Sequence, residues 1–130
     1  MPRIVYPSVE ELIETNRRVL REIRVKKADQ HQVLSKSSLA AALHKAKAEE
    51  GDIYTKAVIL LTELVRGHAF ASGVRRTGYV ATLSFLRANG ERPHVIHDAK
   101  ILTGVREGFY TMDEIKSWLK GNAIRKFTRP

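Results

Sequence analysis

The chain has 130 residues, of which 43% are hydrophobic; that suits one folded domain with a modest core rather than a disordered segment. Lys and Arg number 23 against 14 Asp and Glu, a formal net charge of +9, which points to an anionic partner such as nucleic acid, nucleotide or an acidic protein. Cysteine is absent, so disulfides and thiolate metal sites are excluded; the longest apolar run, residues 57–61, is far short of a membrane span, and the polar start does not read as a signal peptide, so a cytoplasmic protein without membrane contact is expected.

Taken in chain order, Ser8 and Glu11 form a capping box, and Val9, Leu12, Ile13, Val19, Leu20 and Ile23 recur at helical spacing. They predict a first helix over about 9–24. Its last turns carry Arg17, Arg18, Arg21 and Arg24, of which 17, 21 and 24 share a face; this is either favourable pairing with the helix dipole or a docking stripe for an acidic partner. Residues 25–36 read as irregular or as a short hairpin. A second helix is expected after Ser37 or Ser38, where LAAALHKAKAEE is rich in strong helix formers. Gly51 and Asp52 stop it and cap a third, IYTKAVILLTELVR, apolar on nearly every side and therefore central, with Gly67 as its end.

A fourth helix starts at Ser72 or Gly73 and runs to Asn89, with Val80, Leu83, Phe85 and Leu86 facing the core and Asn89-Gly90 as the stop. Asp98 caps a fifth over about 99–106. Thr111 and Glu114 make a second capping box that opens a sixth, and the basic tail from about 124 is free to fray. No period-2 strand of ordinary length occurs. The fold class is all-α: a single-domain bundle of about six helices, residues 1–130, around a central pair near 53–67 and 73–89.

The stretch HAFASGVRRTGYVATLSFLRANG, residues 68–90, carries the chemistry. A helix N-terminus offers unpaired N–H groups and the positive end of its dipole, and Gly73 lets an anion approach the backbone. Arg75 and Arg76 lie in the first turn, where two cations oppose the dipole by about 0.3–1 kcal/mol each unless an anion satisfies them. His68 lies a few residues away and exchanges a proton near neutral pH. Spacing alone suggests phosphate binding beside a general base. His31 and His44 read as isolated surface residues, and the His94–His97 pair as part of a solvated loop lacking the further ligand a metal site needs.

HAFASGVRRT resembles the Fic/Doc (Fido) signature, H-P-F-x-(D/E)-(G/A)-N-(G/K)-R, and LSFLRANG resembles the FLRxNG ending of its death-on-curing branch. LSKSSLAAALHKAKAE, DIYTKAVILLTELVRGH and GFYTMDEIKSWLK resemble that branch's flanking helices, so the likeness covers roughly residues 8–120. It implies a Fido-type helical bundle and transfer of a phosphoryl or AMP group from ATP or a related nucleotide to a target-protein hydroxyl. The death-on-curing toxins modify a translation elongation factor and are restrained by a small antitoxin. By position, His68 matches the general base and Phe70 the aromatic that packs the loop. Ser72, Gly73, Val74 and Arg75 fall on the nucleotide- and phosphate-binding loop, and Arg76 matches the arginine that contacts phosphate.

Four positions depart from the pattern. Ser72 replaces the acid that binds Mg²⁺, and a neutral hydroxyl is a weak ligand for a hard cation, so no metal residue carries over and Mg²⁺ is in doubt. Val74 replaces the asparagine that grips phosphate. Ala69 replaces proline, and Arg75 takes the slot of Gly or Lys, similar to the toxin lysine in charge. Two readings stay open: an active toxin-type transferase, and an inactive scaffold that binds nucleotide, RNA or an acidic protein. Thr103-x-x-x-Glu107-Gly108 fits a loose autoinhibitory pattern of some Fic proteins and is read here as ordinary helix.

Overall fold

The structure is a computed structural model that describes residues 3–23 and 31–129. Among these residues it is all-helical: α1 (Val9–Ile23), α2 (Lys36–Ala48), α3 (Ile53–Arg66), α4 (Val74–Ala88), α5 (Ala99–Arg106) and α6 (Met112–Leu119). The expected Arg24 end of α1 and the first half of the irregular segment, residues 25–30, lie outside the described residues.

Helix boundaries follow local chemistry. Ser8 Oγ accepts from Glu11 N–H at 3.1 Å while the Glu11 carboxylate accepts from Ser8 N–H, and Thr111 with Glu114 closes the same box on α6. Asp52 caps α3 by accepting from Thr55 N–H at 2.8 Å, and Asp98 caps α5. The second helix begins earlier than expected, because Ser35 rather than Ser37 or Ser38 is the N-cap and accepts from Ser38 N–H at 3.1 Å. Gly67 does end α3, but with extended dihedrals (φ −75, ψ 151) rather than in a left-handed turn. What it supplies is room: a Cβ there would meet Ser38 Oγ at 2.7 Å.

The core is the α3–α4 pair with the other helices laid on it. α3 buries Ala57, Val58, Leu60, Leu61, Leu64 and Val65, and α4 buries Leu83, Phe85 and Leu86. Each fully buried Leu or Phe side chain contributes about 1.5–3 kcal/mol by leaving water. The two axes come close at Gly78, where a Cβ would lie 2.9 Å from Val65 Cγ2. α2 and α6 pack on α3, α1 packs on α4, and α5 touches both central helices.

Two devices close the bundle. Lys56 is buried, and its ammonium donates to the carbonyls of Ala46, Lys47 and Glu49 at the end of α2. A cation there satisfies orphan carbonyls and meets the negative end of the helix dipole. The basic tail is docked: Arg125 forms a two-pronged bond with Glu114 (2.6 and 3.1 Å), Tyr110 Oη donates to the Arg125 carbonyl, and the Phe127 ring meets that of Phe109. No helix among the described residues is long and apolar enough to cross a membrane.

Candidate functional site

The loop of residues 67–73 joins the two central helices, and three supports shape it. The segment 31–35 runs antiparallel to it: Val33 bridges Phe70, Leu34 N–H donates to the Ala69 carbonyl at 2.7 Å, and Ala71 N–H donates to the Gln32 carbonyl at 3.0 Å. Phe70 is buried and pins the loop to the core. From below, the wholly buried Asn16 of α1 donates its amide to the Ser72 carbonyl at 2.9 Å and to Thr77 Oγ1 at 3.0 Å, and its Oδ1 lies 2.9 Å from His31 Nδ1. His31 is thus half-buried and engaged rather than an isolated surface group; the reading of His44 as exposed holds.

These supports leave Gly73 left-handed (φ 73, ψ 19) at the N-cap of α4. A Cβ there would lie 3.1 Å from Leu20 Cδ2, so both backbone conformation and space select glycine. Among the described residues no side chain caps Gly73, and the start of α4 sets the positive end of its dipole at this loop.

A cleft of 420 Å³ opens there, lined by Val65, His68, Ala71, Ser72, Gly73, Val74, Arg75, Arg76, His97, Ala99, Leu102 and Arg106. All six residues singled out in the sequence, His68, Ser72, Gly73, Val74, Arg75 and Arg76, therefore border one space. His68 is exposed at its mouth, not walled into the interior. Arg75 donates to Thr103 Oγ1 at 2.6 Å, and Thr103 donates to the Ala99 carbonyl at 3.0 Å, so this guanidinium is steered along α5. Glu107, the acid of the loose autoinhibitory pattern, pairs with Arg106 and Arg129.

No family model matches this chain, and no curated protein is significantly similar to it.

Two lining residues escaped sequence reasoning. His97 is exposed in the loop before α5, as the solvated-loop reading expects, but it also sets its ring edge-on to Tyr79 (centroids 4.9 Å apart). Loss of water against that ring, then the positive charge of Arg76, push its pKa below the usual histidine value, with Asp98 opposing. Arg106 reaches the cleft from the end of α5. The spacing Ala99, Leu102, Arg106 puts these residues on one helix face, a signal present in the sequence but not tied to the loop until the helices pack. His97 and Ala99 also border a second cavity of 780 Å³, walled by Trp118, Ile101, Ile124 and Phe127 and rimmed by Lys100 and Lys126.

A divalent cation fits this donor set poorly. Among the described residues, none of the twelve that line the cleft carries a carboxylate, and no group of three His, Cys, Asp or Glu is arranged to hold a metal. Mg²⁺ favours carboxylate and phosphate oxygens.

Proposed function

We propose that the cleft binds the phosphates of a nucleotide and that His68 serves transfer of a phosphoryl or AMP group to a protein hydroxyl, in the manner of the Fic/Doc proteins that residues 68–76 resemble. The observation that carries this reading is that His68, the N-terminus of α4 at Gly73, Arg75 and Arg76 all line one cleft. His68 takes the proton of the target Ser, Thr or Tyr hydroxyl. The freed oxygen attacks phosphorus, the bond to the leaving phosphate oxygen breaks, and nucleoside diphosphate or pyrophosphate departs. The α4 amides and Arg76 hold the charge of the phosphates, and positioning of this kind supplies most of the rate in such reactions. The second cavity, with its apolar wall behind His97, suits the nucleoside end.

On this reading the protein works in the cytoplasm as a toxin-type transferase, its target a component of the translation machinery such as an elongation factor, with an acidic antitoxin as its restraint. The absence of a carboxylate among the described lining residues favours a second reading, an anion-binding scaffold that has lost transfer. One experiment separates them. Labelled ATP incubated with the protein and a cell lysate yields a labelled protein band that a His68→Ala variant does not, if transfer is retained; equal labelling by both removes the catalytic assignment.

A further inference from the structure

Three arginines and two histidines line the cleft: Arg75 and Arg76 from α4, Arg106 from α5, His68 from the loop and His97 from the segment before α5. Among the described residues the neighbouring acids are turned to other work. Asp98 Oδ1 accepts from the N–H groups of Lys100 and Ile101, and Glu107 pairs with Arg106 at 3.5 Å and Arg129 at 3.7 Å. A hard cation entering here meets one hydroxyl, two imidazoles and the repulsion of three fixed positive charges. A bare polyphosphate meets the opposite field.

We propose that this cleft takes its phosphate-bearing ligand as the free polyanion, uncomplexed by a divalent cation, with Arg106 as a third phosphate-binding arginine. The inference rests on the reading of the cleft as a phosphate site and adds what neutralises the charge there. The geometry suits the task. Arg75 is held in place through Thr103, so less side-chain freedom is lost on binding. Arg106 makes an exposed contact with Glu107, the kind of pair that is worth little and yields readily to a phosphate dianion. A complexed nucleotide arrives with part of its charge already cancelled, so a divalent cation competes with the arginines instead of assisting them.

The test is a calorimetric titration of the full chain with inorganic tripolyphosphate and with ATP, at fixed ionic strength, in EDTA and in excess MgCl₂. Binding that is at least as tight in EDTA, and that falls about tenfold in Arg106→Gln, as loss of one charge-assisted contact predicts, supports the proposal. Partial recovery in Arg106→Lys, with all variants melting like the wild type, ties the loss to charge rather than to folding. Tightening by Mg²⁺ of about fivefold or more, or selective broadening of the Ser72 and Gly73 amide signals by Mn²⁺, overturns it. Unchanged affinity in Arg106→Gln overturns the role of Arg106 while the phosphate cleft stands. A wild-type chain that binds neither ligand in either medium removes the phosphate reading and this inference with it.

Discussion

The side-chain amide of Asn16, wholly buried in α1, donates to the main-chain carbonyl of Ser72 at 2.9 Å, across 56 residues of chain. The same amide group reaches Thr77 Oγ1 in the first turns of α4 and faces His31 through its oxygen. One residue therefore fixes the loop before Gly73, the helix after it and the segment that flanks both. Replacing it with Leu removes every partner and leaves buried polar groups unsatisfied, at about 1–3 kcal/mol each where water does not enter. We expect Asn16→Leu to lower the melting temperature well beyond the effect of an exposed Asn→Leu control such as Asn122→Leu, read by circular dichroism; equal shifts would deny Asn16 this role.

Gly73 is the position where backbone and space agree. A left-handed φ costs a side-chain-bearing residue roughly 1–2 kcal/mol, and the added methyl presses on Leu20 at 3.1 Å. Gly73→Ala is expected to lose about that stability in chemical denaturation and to weaken tripolyphosphate binding. A variant with wild-type stability and affinity would mean that the loop tolerates another conformation.

His97 links the cleft to solution pH. Its pKa is depressed by lost hydration and by Arg76, so the neutral ring prevails near neutrality, and stability from this group is lost as pH falls through the lowered value. An anion bound beside Arg76 cancels that repulsion and favours the imidazolium. Saturation with tripolyphosphate should therefore raise the His97 pKa, seen as a shifted midpoint of its ring-proton resonance. An unmoved midpoint in a saturated sample would place the anion elsewhere.

The tail clamp gives a prediction at acid pH. The Arg125 bond, followed by the Thr111 N–H, lowers the Glu114 pKa from 4.5 to about 2. A depressed carboxyl adds stability that is complete above the unfolded value of 4.5 and is lost as pH falls through about 2. The difference in melting temperature between wild type and Glu114→Gln should be largest at neutral pH and shrink as pH drops across that window. A constant gap would show that the clamp adds nothing.

Thr82 offers the reverse case, a stabilising change. Its Oγ1 is buried in α4 and has no hydrogen-bond partner among the described residues. Thr82→Val keeps the shape and removes the stranded hydroxyl, so a gain of about 1 kcal/mol is expected in equilibrium unfolding. A loss would imply that this hydroxyl is solvated in the folded protein.

Local rules carried much of the fold. Capping boxes at Ser8 and Thr111, the caps Asp52 and Asp98, and the all-round apolar run of α3 are short-range signals, and the helices begin where those signals stand. They set the all-helical class and the order of the elements, because capping and amphipathic spacing act within a few residues. The loop residues His68 to Arg76 were legible for the same reason: they are consecutive, and a glycine before two arginines is an anomaly visible on the string. Only packing decided which distant groups joined them. His97 and Arg106 belong to the cleft because α5 lies against the central pair, and Asn16 and His31 support its floor because α1 crosses beneath the loop. The sequence by itself determined the order and class of the helices and where charge collects; the tertiary structure decided which side chains share a space, since burial of the helix faces fixes contacts between residues that no local spacing connects.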